Sequence, residues 1–157
     1  MTEGKKIPDR TARATATWET VLAQAKQWAE ELPIFAGGKS YGGRMLSVLF
    51  AERPIPEVKG LICYGYPLHP PGRPDQLRAA HLPHITHPML FFQGTRDALA
   101  QVALVQQHLT TLPQAEIVLI DSADHSFKVL KRSSITQTQV WDLIIQRTTE
   151  WIAHLIT

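Results

Sequence analysis

The sequence predicts an α/β fold, a mainly parallel sheet with helices on both faces. Three observations predict it. Four short apolar runs, near 34–38, 58–64, 89–93 and 115–121, are each preceded or followed by a stretch of helical periodicity. Strands covered on both faces read as continuous apolar runs of this kind rather than as alternating ones. The first run passes through a glycine-rich turn straight into a helix. Finally, the 157 residues amount to one domain without internal repeats, and a chain of that size buries about two-thirds of its unfolded surface.

The first dozen residues read as a loose polar lead-in. From Thr15 onward, Trp18, Val21, Leu22, Ala25, Trp28, Ala29 and Leu32 follow helical spacing, and Pro33 stops the helix. The run "LPIFAGG" is the first strand. A helix over 43–52 follows, with Met45, Leu46, Leu49 and Phe50 on one face. The proline-rich "ERPIPEVK" leads into the second strand. The next segment, 65–88, is rich in proline and histidine. Its irregularity predicts a cap-like functional loop with at most a short helical turn near 75–81. The strand at 89–93 closes at Gly94. An amphipathic helix carrying Leu99, Val102, Ala103, Val105, Gln106 and Leu109 precedes the fourth strand, and a helix over 137–155 ends the chain.

Composition excludes several classes of function. Hydrophobic residues make up 44% and charged ones 19%, the balance of an ordinary globular protein. The net charge is +2 with basic residues scattered, so nucleic acid is not an expected partner. No apolar leader opens the chain and no run approaches a membrane span, which predicts a cytoplasmic protein with no membrane partner. The lone cysteine, Cys63, lies in the apolar "VKGLICYGY" and reads as a buried structural thiol of a reducing compartment.

Chemistry concentrates in "PIFAGGKSYGGRM", Pro33 to Met45. Gly38-Lys39-Ser40 is the tail of a phosphate-binding loop, but that loop needs a glycine where this chain has Pro33. Proline offers no N–H and fixes φ, so the nucleotide reading fails. The same residues spell G-x-S-x-G over Gly38 to Gly42. There a strand turns sharply into a helix and holds a serine exposed in a strained conformation. Gly38 and Gly42 are then expected where a Cβ would collide as the chain doubles back.

In open parallel sheets, ligands bind beyond the C-terminal ends of the strands. Ser40 follows the first strand, Asp97 the third and His125 the fourth. The order Ser, Asp, His on strand ends is specific to one fold of serine hydrolase. The predicted roles are Ser40 as nucleophile, His125 as base and Asp97 as the group that orients the imidazole. The Tyr41 backbone N–H is the predicted oxyanion donor. Each has a plainer reading: a structural serine, a helix-terminal carboxylate, an ordinary loop histidine. Asp121 and Asp124 are rival acids, although Asp124 adjoins His125 and its side chain should diverge from the ring. His69, His81, His84 and His87 invite a metal reading, but Pro83 and Pro88 break the helix that would stack them. No metal and no cofactor are expected. Lys39 and Arg44 either meet an anionic substrate or merely solubilise the turn.

The segments "GGKSYGGRM", "GLICYGYPLHPPGRPDQLR", "HLPHITHPMLFFQGTRDAL" and "ADHSFKVLKRS" resemble small α/β-hydrolases of the dienelactone-hydrolase-like group. Within it they are most similar to a branch of uncharacterised hydrolases that includes a testis-expressed protein and a subunit of a chromatin-modifying complex. The resemblance covers the C-terminal three-quarters of such proteins. It implies a partial α/β-hydrolase fold, with Ser40, Asp97 and His125 as triad and a small-molecule acyl substrate cleaved through an acyl-enzyme. Dienelactone hydrolase itself has a cysteine at the position of Ser40, so dienelactones are not the implied substrate. Family members also carry earlier strands, one ending in a His-Gly-Ala-Gly-like loop that supplies a second oxyanion donor, and nothing before Ser40 has that pattern. The strand at 34–38 is therefore expected as an unpaired sheet edge. Weak or absent activity of this chain is expected, together with a homo-oligomer or a sticky monomer. The alternative function is a non-catalytic or truncated α/β-hydrolase-like binding scaffold.

Overall fold

The computed structural model describes residues 11–157, so the lead-in expected over 1–10 lies outside the described residues. Helix α1 spans Thr11–Ala29, starting earlier than the apolar spacing suggested. It also ends earlier, because Glu30 turns left-handed at φ 51° before Pro33 is reached. Trp28 and Leu32, expected on its buried face, are 77% and 73% exposed. Strand β1 (Ile34–Lys39), helix α2 (Tyr41–Glu52) and strand β2 (Val58–Tyr64) follow. After β2, a long irregular segment holds a single 3-10 turn at Leu82–His84 rather than a helical turn near 75–81. Strand β3 (Met89–Gly94), helix α3 (Val102–His108), strand β4 (Ala115–Ile120) and helix α4 (Gln137–Ile156) complete the chain.

The strands pair in parallel in the order β1-β2-β3-β4. The pleat sends successive side chains to opposite faces and so divides the apolar runs between two cores. Leu61, Cys63, Met89 and Phe91 join one core with Leu46, Leu49 and Phe50 of α2. Ile62, Leu90 and Phe92 join the other with Val140, Ile144 and Trp151 of α4. Helix α4 begins with a capping box in which Thr136 and Gln139 exchange hydrogen bonds. It packs so closely that a Cβ on Gly60 would strike the Trp151 ring.

Two features depart from the sequence pattern. The segment after β2 does not float over the molecule, since Tyr66, Leu68, Leu82 and Ile85 are buried in the α2 core. Helix α3 starts only at Val102, because Leu99 is still in the turn that places Asp97. Strand β1 stands at an edge of the described sheet. No helix among the described residues is long and apolar enough to cross a membrane.

Candidate active site

Ser40 occupies the junction of β1 and α2 with φ 51° and ψ −120°, a conformation that costs a non-glycine residue about 1–3 kcal/mol. The surrounding bonds impose it. Its N–H donates to Tyr64 O across the sheet at 2.9 Å, while its carbonyl accepts the first bond of α2 from Arg44 N at 3.1 Å. Strand and helix meet backbone to backbone here. A Cβ on Gly38 would lie 2.6 Å from Gly42 C and 2.8 Å from Gly43 Cα, and one on Gly43 would lie 2.5 Å from Gly38 O. Gly42, the second glycine of the motif, has open space instead. The steric reason expected for Gly42 therefore belongs to Gly43. Gly42 contributes its carbonyl, which accepts from Trp18 Nε1 at 3.0 Å and ties α1 to the turn.

His125 Nε2 lies 2.8 Å from Ser40 Oγ, and His125 Nδ1 lies 2.7 Å from Asp97 Oδ2. A carboxylate only accepts, so the ring proton sits on Nδ1 and leaves Nε2 free to accept the serine proton. The Asp97 side chain is fully buried while the His125 side chain keeps 25% exposure. Three donors hold the carboxylate: the imidazole, Gln93 Nε2 at 2.8 Å and Leu99 N at 2.8 Å.

Gln93, fully buried at the end of β3, is a site residue that sequence reasoning missed. Its amide also exchanges bonds with the Tyr66 backbone, accepting from N at 3.0 Å and donating to O at 3.3 Å. The faint signal was a polar residue closing the otherwise apolar "PMLFFQG". Lys39, expected either to meet an anionic substrate or to solubilise the turn, also donates from Nζ to His125 O at 3.0 Å and lies 5.0 Å from the centre of the Phe127 ring. Gly65, at φ 64°, lets the chain pass the imidazole, since a Cβ there would lie 3.1 Å from His125 O.

The rival acids have other tasks. Asp124 turns the histidine loop by accepting from Ser126 N at 2.8 Å and Lys128 N at 3.0 Å. Partial burial would raise its carboxyl, but these backbone donors and the charges of Lys128 and Arg96 hold it below its usual range. Asp121, on the surface, takes the Thr95 and Ser122 hydroxyls. The histidines after β2 also part company. His69 accepts from Gln101 N at 3.4 Å, His87 Nε2 donates to Ile55 O at 3.1 Å, and His81 meets Ser47 at 2.8 Å. Cys63 is buried, and desolvation pushes its thiol up to about 12. A cleft of about 390 Å³ is lined by Lys39 and Ser126, the chain neighbours of Ser40 and His125, with Tyr64, Phe127, Trp141 and Ile144.

A family model described as an alpha/beta hydrolase domain matches residues 1–153. The chain belongs to the alpha/beta hydrolase family. Among solved structures, this alpha/beta hydrolase is similar to a dienelactone hydrolase from Anabaena variabilis, at 27% identity and a TM-score of 0.60 over 90% of this chain and 61% of that one. It is also similar in fold to an alpha-beta serine hydrolase homologue from Coxiella burnetii (18% identity, TM-score 0.65, 91% of this chain and 61% of that one). A third is a monoacylglycerol lipase from Paleococcus ferrophilus (12% identity, TM-score 0.58, 78% of this chain and 69% of that one). The chain thus spans about 61% of the length of the first two.

Proposed function

We propose that the chain carries the catalytic centre of a serine hydrolase that cleaves an ester or related acyl bond of a small soluble substrate through an acyl-enzyme. The observation that carries this reading is the continuous relay Ser40 Oγ–His125 Nε2 at 2.8 Å and His125 Nδ1–Asp97 Oδ2 at 2.7 Å. Ser40 Oγ attacks the substrate carbonyl carbon while Nε2 takes the hydroxyl proton. Asp97 stays ionised and stabilises the imidazolium through its Nδ1–H. The carbonyl oxygen becomes an oxyanion, for which the Tyr41 N–H at the positive end of α2 is the donor we assign. Collapse of the intermediate breaks the bond to the leaving group, which takes the proton from Nε2. Water then repeats the sequence on the acyl-serine, regenerating Ser40 and releasing the acid.

We assign the enzyme to the dienelactone-hydrolase-like group, and within it to the branch that the four segments named above resemble. With Ser40 in place of a cysteine, the nucleophile suits ordinary esters. We place it in the cytoplasm, on the reduced Cys63.

A second reading rests on a specific observation: the sequence holds no His-Gly-x-Gly run. The donor such a loop supplies is worth about 3–4 kcal/mol of transition-state stabilisation. On this reading the chain is a binding scaffold, or works only when a neighbour against β1, a second copy among the options, supplies that donor. Hydrolysis of short-chain p-nitrophenyl esters separates the two. The serine-hydrolase reading expects turnover, even if slow, that Ser40→Ala and His125→Ala abolish. Hydrolysis equal in all three proteins would sink it.

A further inference from the structure

A second polar cluster is built around Ser47, about two helical turns along α2 from Ser40. Ser47 Oγ donates to Arg44 O at 2.7 Å, so His81 Nε2–H, 2.8 Å away, donates to Ser47. Tyr66 Oη donates to Arg78 O at 2.7 Å and lies 3.4 Å from the same His81 nitrogen. The backbones of Arg44, on α2, and Arg78, in the segment after β2, are thereby tied to one imidazole. Both arginines are half-buried. Among the described residues neither guanidinium has an acidic partner, and the ion pairs use Lys26, Arg53, His125 and Arg147 instead.

Two half-buried positive charges left without a counter-charge are costly to hold together. The proton affinity of Arg78 is weakened first by burial and then by the charge of Arg44. Burial first, then Arg44 and His84, push His81 down to about 4. The imidazole is therefore neutral near pH 7 and leaves the two guanidiniums as the charge of the cluster. Planar guanidinium forks bind oxyanions in paired hydrogen bonds. A phosphate monoester, at about −1.5 to −2 near neutral pH, offsets both charges, whereas a carboxylate offsets one. The cluster also adjoins the nucleophile, since the Arg44 N–H itself donates to Ser40 O.

We infer that Arg44 and Arg78 form an anion subsite that receives a phosphate group on the substrate, so that the ester this centre cleaves belongs to a phosphorylated small molecule. The inference rests on the serine-hydrolase reading for the reaction but not for the binding.

Isothermal titration of the full chain with inorganic phosphate tests it, with acetate as the carboxylate arm. Phosphate should bind the parent, Ser40→Ala and the surface control Lys131→Gln alike. It should bind Arg44→Gln and Arg78→Gln at least about tenfold more weakly, a loss of about 1.4 kcal/mol. Acetate should bind the parent more weakly than phosphate. Circular dichroism and the charge-retaining Arg44→Lys and Arg78→Lys variants separate loss of the subsite from loss of the fold. Phosphate should also slow fluorophosphonate labelling of Ser40 in the parent and have no effect on the Arg78→Gln protein. No phosphate binding by the parent, equal binding by all variants, or acetate binding as tight as phosphate would overturn the subsite. Labelling of Ser40 that persists while phosphate binding is absent would leave the serine reading standing alone. Phosphate binding without any labelling would do the reverse.

Discussion

Replacing Gly43 and Gly42 separately by alanine tests how the nucleophile turn is built, because the two neighbours should respond in opposite directions. At Gly43 the new Cβ would lie 2.5 Å from Gly38 O. That is about 0.9 Å inside ordinary van der Waals contact, and the obstacle is backbone rather than a mobile side chain. Relief requires α2 to lift from β1, against the Ser40 N–H bond to Tyr64 O at 2.9 Å and the helix bond from Arg44 N at 3.1 Å. Overpacking of this kind costs about 1–3 kcal/mol. At Gly42 nothing lies within 4 Å of the new Cβ, and a helical alanine gains roughly 0.5–1 kcal/mol over glycine. The two variants should differ by about 2–4 kcal/mol, or roughly 5–15 °C in Tm for a chain of this size. Thermal unfolding followed by circular dichroism measures that gap. Gly43→Ala should also lose most of its Ser40 reactivity, since a shift near 1 Å can cost about a hundredfold. A Gly43→Ala protein as stable and as reactive as Gly42→Ala would refute the reasoning.

Gln93→Leu leaves the Tyr66 N–H without its buried acceptor and removes one of two donors from Tyr66 O, which keeps Leu68 N, and from Asp97 Oδ2, which keeps His125. A loss of about 1–3 kcal/mol in urea unfolding is expected, with slower labelling of Ser40; unchanged stability would remove Gln93 from the account. Cys63, buried and pushed up to about 12, should resist a thiol reagent at pH 8 in the native protein and react fully in denaturant. Rapid native reaction would contradict its burial. His81 has a folded-state value lowered by burial, then by Arg44 and His84, from 6.5 to about 4, so the unfolded chain binds the extra proton between those values. Its contribution is complete above pH 6.5 and is lost as the pH falls toward about 4. Denaturant titrations across that window should show a shallower pH slope in His81→Gln than in the parent, and identical slopes would count against the assignment.

Much of the fold was legible because its strands are covered on both faces. The runs at Val58–Tyr64 and Met89–Gly94 send alternate side chains into two cores and are therefore apolar throughout, which one sequence displays directly. The candidate site residues stood out because they fall just after strands, and the structure brings Ser40, Asp97 and His125 within hydrogen-bond distance. What the sequence hid depends on contacts between distant segments. Gly42 and Gly43 are adjacent glycines in one helical turn, and only the position of Gly38 O distinguishes them. Lys39 reads as a surface charge until His125 O is brought 3.0 Å from its ammonium. The segment after β2 has the composition of a loop, yet Tyr66 and Leu82 fill the α2 core, because proline-rich chain without periodicity can still bury isolated apolar side chains. The end of α1 was misplaced because a left-handed Glu30 carries no strong signal in sequence.

Intact-mass analysis after treatment with a fluorophosphonate probe tests the central claim most directly. The parent should gain one adduct, mapped to Ser40, and Ser40→Ala and His125→Ala should gain none. A folded parent that gains no adduct, or one whose adduct persists in Ser40→Ala, would contradict an activated serine at this turn.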